Sequence, residues 1–171
     1  MSKEALMSGI VVYRSSSGST KQYAEWIAEE TGYVLHDSRD QAIAWEGAET
    51  VVIGCPIIAN RPALSGWIAK KWDRMKGKRV VLFTTSGADP ADEPVNEWID
   101  KALSDSVRSG MKVFPLPGRF DYARLKGAGK AMIWFAANVL QNKDVKNQIQ
   151  NPVDGVAKEN LAELIEYVKN G

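Results

Sequence analysis

The chain has 171 residues, with 22 Lys and Arg against 21 Asp and Glu for a formal net charge of +1, and is 44% hydrophobic and 25% charged. That length suits one domain burying about 70% of its unfolded surface, the composition excludes disordered and fibrous classes, and near-neutrality removes whole-molecule attraction to nucleic acid. The single cysteine, Cys55, forbids an internal disulfide, and with the single histidine, His36, it leaves no Cys/His set for zinc, so no metal site is expected.

From the N-terminus, MSKEALMSGI holds no apolar run of secretory length, which predicts a cytoplasmic protein. Ile10-Val11-Val12-Tyr13 reads as a strand covered on both faces. Tyr23, Ala24, Ile27 and Ala28 then recur at helical spacing, predicting a helix that opens near Thr20. Tyr33-Val34-Leu35 is a weaker second strand with His36 at its end, in a structural or exposed role. Val51-Val52-Ile53 is a third strand, followed by a loop over Cys55-Pro56-Ile57-Ile58-Ala59-Asn60-Arg61. Pro62 suits the first turn of a helix whose stripe is Leu64, Ile68 and Met75. Lys70, Lys71, Arg74, Lys76, Lys78 and Arg79 form a basic run opposed only by Asp73, read as a solvated helix end or a surface for an acidic partner.

Val80-Val81-Leu82-Phe83 is a fourth strand, and its loop runs Thr84-Thr85-Ser86-Gly87-Ala88-Asp89. Asp89, Asp92 and Glu93 are placed to cap a helix carrying Val95, Trp98, Ile99, Ala102 and Leu103. Met111-Lys112-Val113-Phe114 is the fifth strand. Residues 115–155 depart from the β-α rhythm: bases at Arg119, Arg124, Lys126 and Lys130 precede the all-round apolar Ala131–Ala137, too short to span a bilayer. Leu161, Leu164, Ile165 and Val168 stripe a final helix. The six tryptophans fall mostly in helical stretches, where packing is the expected role. The alternation predicts a doubly wound α/β domain over residues 1–171, with five parallel strands and a helical insertion after the fifth.

The chemistry concentrates in Ser15-Ser16-Ser17-Gly18-Ser19-Thr20, between the first strand and the first helix. Helix-start N–H groups are unpaired and the dipole is positive there, hydroxyls add uncharged donors, and glycine allows close approach or positive φ. These features suit a phosphate. A plain N-cap explains one hydroxyl, whereas five occupy six positions here. The stretch lacks both Gly-x-x-x-x-Gly-Lys-Ser/Thr and Gly-x-Gly-x-x-Gly, so neither a nucleoside triphosphate nor a dinucleotide is indicated.

Val11, Val12, Tyr13, Ser15, Gly18, Thr20, Ala24 and Ile27 resemble the flavodoxin signature without a mismatch. The resemblance implies a 2-1-3-4-5 strand order and one non-covalent FMN, its 5′-phosphate held by Ser15, Ser16, Ser17, Gly18, Ser19 and Thr20. It also implies that Cys55, Pro56, Ile57, Ile58, Ala59 and Asn60 on one side, and Thr85, Ser86, Gly87 and Ala88 on the other, flank the isoalloxazine ring. Flavodoxins usually sandwich that ring between aromatics of these loops, and neither loop has one here. Ile57, Ile58 or the Cys55-Pro56 backbone are then left to cover it, and one face stays open to a substrate or partner. Cys55 has no basic neighbour in sequence to lower its pKa and reads as a small buried residue.

Gly118-Arg119-Phe120-Asp121-Tyr122-Ala123-Arg124, followed by Lys130 to Leu140, is similar to the insertion of the protoporphyrinogen-oxidase-type flavodoxin-domain proteins. That likeness implies an FMN-dependent oxidoreductase acting with a bulky apolar, quinone-like or porphyrinogen-like molecule. The alternative is an electron carrier that meets only a redox partner protein. No side chain stands out as a required acid or base. Residues 119–140 have two readings, a helix covering the sheet or a homodimer face, and a peripheral membrane or quinone contact.

Overall fold

The computed structural model describes residues 8–91 and 93–170. The opening segment over residues 1–7 and the helix-capping roles expected of Asp92 and of the Glu93 side chain lie outside what is described. The elements run β1 (Gly9–Tyr13), α1 (Ser19–Thr31), β2 (Val34–Asp37), β3 (Thr50–Ile58), β4 (Arg61–Pro62), α2 (Ser65–Met75), β5 (Arg79–Ser86), α3 (Glu93–Ala102), α4 (Asp105–Ser109), β6 (Met111–Pro117), β7 (Arg119–Phe120), α5 (Gly127–Asn138), α6 (Lys143–Gln150), β8 (Val153–Asp154) and α7 (Ala162–Asn170). Short 3₁₀ turns cover Tyr122–Arg124 and Lys158–Leu161.

The main sheet has the order β2-β1-β3-β5-β6, all parallel, with β4 paired antiparallel to the end of β3. Setting aside the two-residue β4, this is the expected 2-1-3-4-5 order. Successive strand residues face opposite sides. Ile10, Val12, Val51, Ile53, Val80 and Leu82 therefore enter one core with Ile68 and Met75 of α2 and Val95 and Ile99 of α3. Val11, Val52, Val81 and Phe83 enter the other with Tyr23, Ala24 and Ile27 of α1 and Leu164 and Val168 of α7. Each such aliphatic contributes about 1.5–3 kcal/mol on full burial.

Three expectations change. The segment after the third strand is not a loop: β3 continues through Cys55, Pro56, Ile57 and Ile58, then reverses in a hairpin onto Arg61–Pro62. Ala59 (φ 50°) and Asn60 (φ 59°) make that turn in the left-handed region, which primed hairpin turns require. The second helix begins at Ser65, because Pro62 is taken by β4. Thr84, Thr85 and Ser86 are likewise the end of strand β5, and the loop starts at Gly87. For β3 and β5, pairing with a neighbouring strand extends the element beyond its apolar run, and the β4 pairing is what delays the helix.

The insertion holds more than one helix and a loop. β7 and β8 form a two-stranded clip that pairs Arg119 with Asp154 and Phe120 with Val153, and it brackets α5 and α6.

Candidate functional site

Chain direction reverses across the sheet between β1 and β3: the crossover from β1 leads outward to β2, and the next leads back to β3 on the other side. Such a switch point opens a crevice at the C-terminal strand ends. Five segments meet there: the 14–18 loop, the β3-β4 hairpin, the end of β5, Gly118-Arg119 after β6, and the first turn of α1.

The 14–18 loop is pinned at both ends. The Arg14 N–H donates to the Gly54 carbonyl of β3 at 2.9 Å, and the Gly18 N–H donates to Ser15 Oγ at 3.1 Å. Gly18 is the N-cap of α1 at φ 90°, a backbone region that L side chains rarely adopt. No side chain caps α1. The N–H groups of its first turn, on Ser19, Thr20 and Lys21, therefore remain for an outside acceptor. Ser16, Ser17 and Gly18 are exposed, Ser15 is half-buried, and Ser19 and Thr20 are buried. Open donors at a positive helix end, lined by hydroxyls and with no acidic residue in the first turn, fit a phosphate.

Thr20 has a second role. Its hydroxyl is buried and bonded to that of Thr85 at 2.8 Å, which ties the start of α1 to the end of β5. Ser17 Oγ reaches Ser19 Oγ at 3.3 Å and donates to the Arg119 carbonyl at 3.5 Å. Tyr23 of α1 donates to the Pro117 carbonyl at 2.7 Å and accepts from the Asn160 amide at 2.9 Å. Burial raises its phenol pKa, so it stays a neutral donor. Sequence reasoning placed Tyr23 only on a helix stripe. That its hydroxyl holds α1 against the end of β6 was unreadable, because Pro117 and Asn160 are distant in sequence.

The flanking segments divide by depth. Cys55 is fully buried in the core, and burial raises its thiol to a pKa of about 11, so it is a neutral packing residue and not a thiolate. Pro56 is buried, Ile57 is half-buried, and Ile58, Ala59 and Asn60 reach solvent at the tip of the hairpin. Across the crevice Thr85 is buried, Ser86 is half-buried and donates to the Ala88 carbonyl at 3.3 Å, and Gly87 is exposed. No aromatic side chain stands in either segment.

Gly118 fixes the entry to the insertion. Its N–H donates to the Ser86 carbonyl at 2.7 Å, and a Cβ at this position would lie 3.0 Å from that oxygen. A side chain here would crowd the β5 backbone, so glycine suits this close passage before the chain turns into β7. Arg119 then pairs with Asp154 at 2.9 Å, a hydrogen bond that lowers the Asp154 carboxyl pKa.

The remaining singled-out residues lie elsewhere. His36 Nε2 accepts from the Ala44 N–H at 3.4 Å and Nδ1 is 3.7 Å from Asp40, a structural setting in β2. Asp89 accepts from the Ala91 N–H at 2.9 Å just before α3. Trp45 stacks on Trp67 with ring centroids 5.8 Å apart. Among the described residues no cluster of His, Cys, Asp and Glu could hold a metal ion.

The geometry defines an open α/β protein with an uncapped helix start at the switch point of its sheet. The chain belongs to the flavodoxin-domain family, whose model matches residues 10–147. Among solved structures it is similar to a WrbA-like flavodoxin of Agrobacterium tumefaciens, at 17% identity and a TM-score of 0.51 over 82% of this chain and 98% of that one. A candidate flavoprotein of Bacteroides eggerthii gives 17% identity and a TM-score of 0.52 over 80% and 99%. In sequence, 109 residues covering 59% of this chain are 30% identical to the 187-kDa microtubule-associated protein AIR9 of Arabidopsis thaliana. The chain spans 6% of that protein's length.

Proposed function

We propose that this chain binds one FMN non-covalently and is a flavodoxin-like oxidoreductase, passing electrons to or from a bulky apolar, quinone-like or porphyrinogen-like molecule. The observation that carries this reading is the uncapped first turn of α1, framed by Ser15 to Thr20 at the switch point of a flavodoxin-family sheet. Bound flavin would supply the one- or two-electron chemistry. The protein would supply position. The N–H groups of Ser19, Thr20 and Lys21 and the Ser16 and Ser17 hydroxyls would hold the phosphate. The Ile57–Asn60 hairpin and the Ser86–Ala88 turn would flank the ring. Neither flanking segment carries an aromatic of its own, and the Phe120 side chain beside Gly87 is the one aromatic the described contacts place against them, so a ring there would stay open on one face, which favours a flavin enzyme over a pure carrier.

The test is reconstitution with FMN, followed by the visible bands of bound flavin, for the wild type and for Ser17→Asp. A carboxylate at the phosphate locus should weaken FMN binding by roughly a hundredfold or more, through repulsion and lost donors. Equal affinity of the variant would overturn the site, and a wild type that takes up no flavin would overturn the cofactor. Two well-separated one-electron potentials in a redox titration would return the protein to the carrier class.

A further inference from the structure

The insertion carries two features that the redox reading does not use. Helix α5 buries only Ala137, and it leaves Met132, Trp134, Phe135, Val139 and Leu140 at 54, 53, 48, 53 and 67% exposure. Summed over α5 and the two residues after it, they leave apolar surface on the order of 500 Å² in water, spread over the outward arc of the helix, with Phe135 between Trp134 and Met132. The same insertion is basic. Residues 118–152 hold Arg119, Arg124, Lys126, Lys130, Lys143 and Lys146 against Asp121 and Asp144, a net +4 in a chain whose total is +1. Arg119 and Arg124 are paired with Asp154 and Asp121. Lys126, Lys143 and Lys146 are exposed, with no ion pair to any described residue. Lys126 is the N-cap of α5 and Lys143 opens α6, so the free cations stand at both ends of the apolar helix.

We propose that α5 and its basic flanks dock the protein on an anionic lipid surface. Trp134, Phe135 and Met132 enter the boundary between headgroups and acyl chains, while Lys126, Lys143 and Lys146 meet the anionic headgroups. Half-exposed aromatics and long basic side chains at the two helix ends are the residue types such a boundary accommodates. With 12 residues α5 lies on the surface, and no described helix is long and apolar enough to cross a membrane. Charge decides against a second copy of the chain as the occupant. A two-fold interface through this patch would set +4 against +4, and like-charge juxtaposition is unfavourable.

The experiment is co-sedimentation of the full chain with vesicles of phosphatidylcholine alone and of phosphatidylcholine with phosphatidylglycerol. The wild type should pellet with the anionic vesicles and be released by salt. Trp134→Ser/Phe135→Ser should weaken that binding about tenfold or more, and Lys126→Glu/Lys143→Glu/Lys146→Glu should bring it to the level of neutral vesicles. Circular dichroism melts should match the wild type, and the lysine variant, altered only at exposed positions, keeps the test valid if the aromatic one misfolds. The proposal fails if the wild type stays in the supernatant, if it pellets equally with both vesicles, or if neither variant changes pelleting. It also fails if light scattering finds a dimer that Trp134→Ser/Phe135→Ser dissolves, which would assign the patch to a second copy. None of these residues belongs to the phosphate loop. Loss of FMN binding with vesicle binding intact therefore refutes only the redox reading.

Discussion

In β3 and β5 the side chains from Val51 to Ile53 and from Val80 to Phe83 are buried on both faces of the sheet. In α5 a run of equal apolarity, Ala131 to Ala137, buries one residue. Two stretches that look alike in composition thus have opposite fates. The strands sit between α1 and α7 on one side and α2 and α3 on the other, so both of their faces find partners. α5 lies outside those layers, held by packing on α6 and by the β7–β8 clip, so about half of the surface of Met132, Trp134 and Phe135 meets no protein. Apolar content alone does not measure a contribution to folding. The number of layers that reach a segment does.

This contrast is most sharply broken or upheld at Gly54. A Cβ there would collide with the Phe83 ring in the centre of the sheet. Gly54→Ala should lower stability by about 3 kcal/mol, read by urea unfolding. A loss under roughly 1 kcal/mol would mean that the sheet is looser than its burial implies. Next comes the hydroxyl pair that ties α1 to β5. Thr85→Val leaves Thr20 Oγ1 buried without its partner and should cost about 1–3 kcal/mol. Thr20→Val/Thr85→Val should recover most of that loss, and strict additivity in the double-mutant cycle would show that the two hydroxyls act separately.

On the insertion side the effects are smaller. The Arg119 hydrogen bond depresses the Asp154 pKa below its ordinary 3.8. A carboxyl with a lowered folded-state pKa contributes its stabilisation fully above the unfolded value and loses it as pH falls through the folded one. The clip should therefore loosen only below about pH 4, by less than about 1 kcal/mol because the pair is partly exposed. The protection factor of the Phe120 amide, with the intrinsic pH dependence of exchange divided out, should fall with acid while that of β3 holds, and equal acid sensitivity of both would contradict the division. Smallest of all, Trp134→Ala should change global stability by no more than about 0.5 kcal/mol, again by urea unfolding. A loss above about 2 kcal/mol would make α5 part of the core.

The sheet was largely legible because its three central strands carry unbroken apolar runs, and helix stripes such as Leu64, Ile68 and Met75 mark the covering faces. The hydroxyl-rich loop before α1 stood out because five hydroxyls in six positions exceed what a cap needs, and the structure leaves the helix start it precedes without a side-chain cap. The β3-β4 hairpin was not. Ala59-Asn60 is not the Asn-Gly pair that announces a primed turn, and Pro62 reads as a helix start until the strand beside it is known. The β7–β8 clip escaped for a different reason: two-residue strands carry no periodicity, and their register joins positions some 35 residues apart. The buried fate of Cys55 followed from its chemistry. The Thr20–Thr85 pairing did not, because a hydroxyl's partner depends on how two segments meet.

The phosphate claim is tested most directly by titrating the full chain with FMN and with riboflavin, which shares the ring and ribityl chain but lacks the phosphate, and following flavin fluorescence. If the α1 N-terminus and its serine loop are the anchor, FMN should bind at one per chain and riboflavin at least about a hundredfold more weakly, since the phosphate contributes several charge-assisted hydrogen bonds. Equal affinity for the two, or binding of neither, would contradict the account.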